Sequence, residues 1–129
     1  MIKIVDIKKA FGENEVIKGI TTTFETGKCN LIIGRSGAGK TVLLKILVGL
    51  IQPDQGEIWF DDVNVLKLNK KENRKLRNSM GMLFQGSALF DSMRVEENIR
   101  FPLDMFSNMT KKEKDARVDY CLARVDLTG

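Results

Sequence analysis

The sequence predicts an α/β fold in which a small antiparallel sheet precedes a strand, a glycine-rich loop and a helix. Three observations predict it. Residues 34–41 read GRSGAGKT. An apolar run, Asn30-Leu31-Ile32-Ile33, leads into that octapeptide, and an apolar, helix-like segment leaves it. Several strand-like segments come earlier, more than a simple doubly wound fold needs, so an extra antiparallel sheet is expected beside a parallel core.

The elements follow in order. Residues 2–7 alternate and read as a strand. Residues 12–14 form a turn, and residues 16–24, rich in threonine, read as one or two strands. Thr26-Gly27 is a second turn. The run over residues 30–33 reads as a strand buried on both faces. A helix is expected from about Lys40 to Leu50. Pro53-Asp54-Gln55-Gly56 signals a turn, residues 57–60 a strand and Asp61-Asp62 another turn. Residues 70–78 read as a short charged helix, and residues 80–84 as an apolar strand ending at Gln85. Residues 85–92 are loop-like, and a helix starts at residues 95–98. Thr110-Lys111-Lys112-Glu113 is a capping box, opening a helix with Val118, Leu122 and Val125 on one stripe.

The octapeptide carries the chemistry. It fits G-x-x-x-x-G-K-[ST], the phosphate-binding P-loop, which names a nucleoside triphosphate with magnesium as the ligand. Gly34 opens the loop. Gly37 and Gly39 allow backbone turns that a side chain would hinder and let main-chain N–H groups close on phosphate oxygens. Arg35, Ser36 and Ala38 contribute mainly their amides. Lys40 would reach the β- and γ-phosphates, and the Thr41 hydroxyl would be a magnesium ligand. The plainer alternative is a glycine-rich turn with no ligand. The strand before it and the helix after it favour the P-loop reading.

Composition bounds the rest. A chain of 129 residues predicts one domain, and 43% hydrophobic with 29% charged residues suits a soluble globular protein. The net charge of +4 is too mild to argue for a nucleic-acid partner. Charges in residues 1–6 exclude a signal peptide there, and the longest apolar stretch, residues 41–51, contains Lys45 and is too short to span a bilayer. Cys29 and Cys121 form no C-x-x-C pair and read as small buried thiols in a reduced compartment. With no histidine, any mechanism needing one cannot run on this chain alone. Residues 67–77 (KLNKKENRKLR) are basic. They could meet anionic lipid headgroups or nucleic acid, and a solvated helix face is the plainer reading.

Beyond the P-loop, Phe11-Gly12, the segment GLIQPDQGEI over residues 49–58 and GMLFQ over residues 81–85 make the chain resemble the ATP-binding subunits of ABC transporters. The resemblance runs from Met1 to about Leu127. It implies a P-loop core with an antiparallel β subdomain over residues 1–85, and a glutamine loop with the start of a helical subdomain over residues 86–129. It also implies ATP and Mg2+ as ligands, with Phe11 stacking on adenine and Val16 beside that ring. Gln85 would contact magnesium and the attacking water. The partners implied are a permease, through the segment from Gln85 to Leu103, and a second ATPase subunit in a homodimer. The location implied is cytoplasmic and peripheral, on the inner face of the cell membrane. Plainer readings exist for each residue: Phe11 as core, Gln85 as a polar strand end, Val16 as strand packing.

Within that family, residues 86–93 (GSALFDSM), Val95-Glu96-Glu97-Asn98-Ile99 and Phe101-Pro102-Leu103 look most like the ATPases of Mla-type systems, which move phospholipid between membranes. Arg94 departs from the pattern, which tends to place a helix-capping threonine there. Ser92 or water would have to take over, because arginine cannot accept the bond a cap requires. The family's signature motif, Walker B aspartate, catalytic glutamate and switch histidine have no counterpart in residues 1–129. The chain therefore looks like the N-terminal half of such an ATPase, stopping before the signature and Walker B. Of the hydrolytic groups, only Lys40 and Gln85 are present. Such a chain is expected to bind nucleotide without turning it over. Three alternatives are a non-hydrolysing ATP-binding regulatory module, an ABC ATPase of a non-lipid or mechanical complex, and a small P-loop kinase or GTPase. Absence of a second acidic magnesium site counts against the last.

Overall fold

The computed structural model describes residues 1–86 and 88–127. They fall into two compact units, Met1–Met82 and Leu83–Gly129. The first unit contains β1 (Ile2–Phe11), β2 (Asn14–Phe24), α1 (Lys40–Leu47), β3 (Gln55–Phe60), β4 (Val63–Asn64), a 3-10 turn (Val65–Lys67) and α2 (Lys70–Asn78). The second contains α3 (Val95–Phe106) and α4 (Lys111–Ala123).

The four strands form one antiparallel sheet in the order β2-β1-β3-β4. Its apolar face carries Ile4, Ile7, Ile17 and Ile58, against which α1 packs Leu43, Ile46 and Leu47. Ile4 and Ile7 are both fully buried, although their odd spacing should put them on opposite faces of a regular strand. A bulge resolves this. The interval Ile4–Ile7 in β1 faces the shorter interval Thr22–Ile20 in β2, and Val5–Lys8 faces Glu57–Gln55 in β3. Asp6 takes the extra position with φ of 47°, and its N–H donates to Thr21 Oγ1 at 2.9 Å. The inserted residue flips the side-chain parity, so both isoleucines reach α1. Gly56 of β3 lies against this bulge at φ of 100°, where a Cβ would sit 2.5 Å from the carbonyl oxygens of both Val5 and Asp6.

α1 ends three residues earlier than expected, at Leu47. The next residues close a Schellman turn, with Gly49 N donating to the Ile46 carbonyl and Leu50 N to that of Lys45. The two-residue turn Asp61–Asp62 joins β3 to β4. α2 opens on a complete capping box: Asn69 Oδ1 accepts from Lys71 N and Glu72 N, and Glu72 Oε2 accepts from Asn69 N.

Two expected strands are not formed. Residues 30–33 have no regular structure, with Leu31 and Ile33 each 82% exposed and only Ile32 packed against the core. Residues 80–84 are likewise irregular, and Leu83 is 98% exposed. The reason is non-local. A strand exists only as part of a ladder, and no described strand pairs with either segment. Cys29 is exposed rather than buried, and Cys121 is half-buried.

In the second unit α3 and α4 are joined by an ion pair between Arg100 and Asp115 and another between Lys114 and Asp104 at 2.8 Å. Val118 is buried and Leu122 half-buried, but Val125 lies past the end of α4 and is 62% exposed. The Thr110 box forms as expected, and hydrogen bonds from the Thr110 hydroxyl and N–H hold the Glu113 carboxyl below its ordinary range. α3 has half a box. Glu97 Oε2 accepts from Arg94 N at 2.7 Å, but no side chain caps the first turn. Among the described residues no helix is long and apolar enough to cross a membrane.

Two stability measurements test these points. Gly56→Ala should cost about 3 kcal/mol, because it adds strain at positive φ to a clash with backbone. A loss under about 1 kcal/mol by urea unfolding would show that the bulge does not press on β3. Arg94→Thr should add about 0.5–1 kcal/mol by supplying the missing acceptor and removing a cation from a helix start. An unchanged or lower melting temperature would contradict that.

Candidate functional site

The loop over residues 34–41 is held by the helix that follows it. The N-cap of α1 is Gly39, with φ of 84° and no side-chain acceptor, so no cap satisfies the first-turn N–H groups. A Cβ on Gly39 would meet the Val16 carbonyl oxygen at 3.0 Å and Val16 Cγ1 at 3.1 Å. β2 therefore presses directly on the loop, and only glycine fits both that approach and the left-handed backbone. Gly37 also has positive φ, at 77°. Ala38 N donates to the Arg35 carbonyl at 3.2 Å, closing the turn.

Lys40 folds back over this turn. Its Nζ donates to the carbonyls of Gly34 and Arg35, both at 2.8 Å. The lysine is half-buried, whereas Gly34, Arg35, Ser36, Gly37, Ala38 and Thr41 are exposed. A cation held beside uncapped helix N–H groups, with an open rim, fits a phosphate-bearing anion. Among the described residues no group of three or more His, Cys, Asp or Glu could hold a metal. A magnesium ion here would draw on the Thr41 hydroxyl, phosphate oxygens and water.

The first unit also carries Phe11 and Val16. Val16 is packed against the core as well as the loop. Phe11 stands at the β1–β2 hairpin, pairs with Asn14, and is 49% exposed, so it is not a core residue of the sheet. Lys9 Nζ lies 5.5 Å from its ring centroid. Asp54 fixes this corner. Its Oδ1 accepts from Lys9 Nζ and its Oδ2 from Ala10 N, each at 2.7 Å, while its own N–H donates to the Lys8 carbonyl. In the sequence Asp54 reads as a turn residue within the segment over residues 49–58. Its role follows from a tertiary contact with β1 that local patterns do not encode.

Gln85 belongs to the second unit, exposed on a bend. The structure thus brings Val16 to the P-loop and keeps Phe11 in the same unit, while Gln85 belongs to the other unit. Ser87, in the segment that follows, lies outside the described residues. Asn98 organises the rest of that segment. Its Oδ1 accepts from Phe90 N at 2.8 Å, and its Nδ2 donates to the carbonyls of Phe90, Met93 and Arg94. The Phe90 and Phe101 rings pack at a tilt of 58° with centroids 4.8 Å apart. A hollow of about 290 Å³ lies here, lined by Leu89, Phe90, Met93, Val95 and Ile99.

Residues 17–129 match the family described as ABC transporter. The chain belongs to that family. Its relatives include a methionine import ATP-binding protein from Clostridium tetani, 42% identical over 98% of this chain and 40% of the relative. A probable ribonucleotide transport ATP-binding protein from Mycobacterium bovis is 35% identical over 99% of this chain and 35% of the relative. This ABC chain thus spans well under half the length of these relatives. Among solved structures, a dimeric post-hydrolysis state of the cassette MJ0796 bound to ADP and Pi superposes with a TM-score of 0.86. It is 28% identical and covers 99% of this chain and 58% of that one. The α/β fold predicted for this ABC chain is therefore that of an ATPase cassette.

The Asp54 contacts give a pH dependence. Hydrogen bonds from Lys9 and Ala10 hold the Asp54 carboxyl below its ordinary value of 3.8. A depressed carboxylate contributes stability that is present above the unfolded value and lost as pH falls through the folded one. Urea midpoints should thus fall as the pH is lowered below about 4, and Asp54→Asn should flatten part of that slope. Parallel slopes for the two proteins would show that the Asp54 pair adds nothing.

Proposed function

We propose that this chain is the nucleotide-binding portion of an ABC ATPase, with ATP and Mg2+ held on residues 34–41. One observation carries the proposal: Lys40 Nζ is poised 2.8 Å from the Gly34 and Arg35 carbonyls, beside an α1 N-terminus that only Gly39 caps. Phosphate oxygens would take the uncapped N–H groups, and Lys40 would turn from neutral carbonyls to an anionic partner. Thr41 would supply a hydroxyl to magnesium, which when bound neutralises charge between the β- and γ-phosphates. Phe11, half-exposed and steadied by Lys9, would cover adenine, with Val16 beside it. Gln85 would bring a carbonyl oxygen to the metal and orient water.

In the whole protein this site would drive transport, as one half of an ATPase dimer on a permease at the inner face of the membrane. Residues 1–85 would belong to the catalytic core and residues 86–129 to the glutamine loop and helical subdomain. The apolar hollow lined by Leu89, Phe90 and Met93 is the surface proposed for the permease. Phospholipid is the cargo proposed from the Mla-like segment over residues 86–103 alone. The named relatives transport methionine and ribonucleotide, so they give that cargo no support.

Titration of the purified chain with a fluorescent ATP analogue and Mg2+ tests the reading. Lys40→Ala should weaken binding at least about tenfold, since hydrogen bonds from a charged donor contribute roughly 1.5–3 kcal/mol. Equal affinity of folded wild type and Lys40→Ala would overturn it. No turnover is expected from this chain, because the family's signature motif, Walker B aspartate and catalytic glutamate have no counterpart in residues 1–129. Turnover abolished by Lys40→Ala would contradict that part.

A further inference from the structure

The basic stretch that the nucleotide site does not use lies on α2. Lys67, Lys70, Lys71 and Lys75 are exposed, and none of the four forms an ion pair among the described residues. Lys70, Lys71 and Lys75 stand at i, i+1 and i+5, with Arg74 between them at i+4, so they share one side of the helix. The opposite side faces the protein: Leu76 packs against the core and Asn73 Nδ2 donates to the Leu68 carbonyl at 2.8 Å. The one acid in α2, Glu72, is occupied by the Asn69 N–H in the capping box. Lys70 and Lys71 lie in the first turn, where the helix dipole disfavours cations. The face thus concentrates lysine charge that the single carboxylate of α2, Glu72, offsets only in part.

We propose that this lysine face docks on an anionic bilayer surface. The chemistry favours lipid over nucleic acid. The charges are mostly lysine point charges rather than bidentate arginine forks. No aromatic residue lies between residues 67 and 78 to stack on bases. Because Leu76 is used by the core, the helix has no apolar face left to insert, and the attraction is electrostatic alone. The inference rests on the transport reading only for the nearness of a membrane. Neither nucleotide nor permease takes part in it.

The test is co-sedimentation of the chain with phosphatidylcholine vesicles, with and without phosphatidylglycerol, in the absence of nucleotide. Binding is expected only with phosphatidylglycerol, and it should fall as ionic strength rises from about 0.05 M to about 0.3 M. Lys70→Gln/Lys71→Gln/Lys75→Gln should reduce it at least about tenfold, with an unchanged melting temperature showing that the variant folds. Should the triple variant unfold, Lys71→Gln and Lys75→Gln singly should each weaken binding. Equal partition to both vesicle types overturns the proposal, as does lipid binding untouched by the substitutions or abolished by an equimolar RNA hairpin. Since ATP affinity is measured separately, failure here leaves the P-loop reading standing, and loss of ATP binding would leave this one standing.

Discussion

The first unit depends on the contact between α1 and the antiparallel sheet. Leu43, Ile46 and Leu47 have one apolar surface to cover, and Ile4, Ile7, Ile17 and Ile58 provide it. That contact fixes the start of α1, and with it the direction in which the P-loop N–H groups point. It works only because Asp6 is an extra residue in β1. Without the bulge, Ile4 or Ile7 would turn to solvent, at a cost of about 1.5–3 kcal/mol for the isoleucine left exposed. Gly56 and Gly39 serve the same packing at two levels. One lets β3 close on the bulge, and the other lets β2 close on the loop.

What the sequence made legible was local. The capping box at Thr110, the Asp61–Asp62 turn and the start of a helix at Lys40 each declare themselves within a few residues, and each forms. The segments over residues 30–33 and 80–84 carry the same apolar signal as true strands, yet hydrophobicity does not supply a ladder partner. The Asp6 bulge was hidden for a related reason. Ile2 and Ile4 alternate regularly, the same parity would put Asp6 on the apolar face, and the burial of Ile7 beside an exposed Asp6 reveals the inserted residue. In the candidate site the motif residues were legible, whereas Asp54 and Asn98, which hold their surroundings in place, act through contacts 44 and 8 residues distant.

The residues proposed for the nucleotide divide between the two units. The first unit carries residues 34–41, Phe11 and Val16. The second presents Gln85 and a helix start organised by Asn98. Arg94 shows how such a segment tolerates a poor capping residue. Glu97 satisfies the Arg94 backbone N–H, and Asn98 ties the Phe90, Met93 and Arg94 carbonyls into one network.

The hydrogen bonds of Lys40 have a thermodynamic consequence. Because Nζ is already satisfied by two carbonyls, the proposed phosphate binding would be an exchange of partners and not the filling of an empty donor. Net gain comes from replacing neutral acceptors by charged ones, less the cost of releasing the Gly34 and Arg35 carbonyls to water. The lysine is at once ligand and internal staple. Truncation would remove both, and because the truncated loop has no such bonds to release, a binding deficit alone would understate the attraction between the ammonium group and a triphosphate.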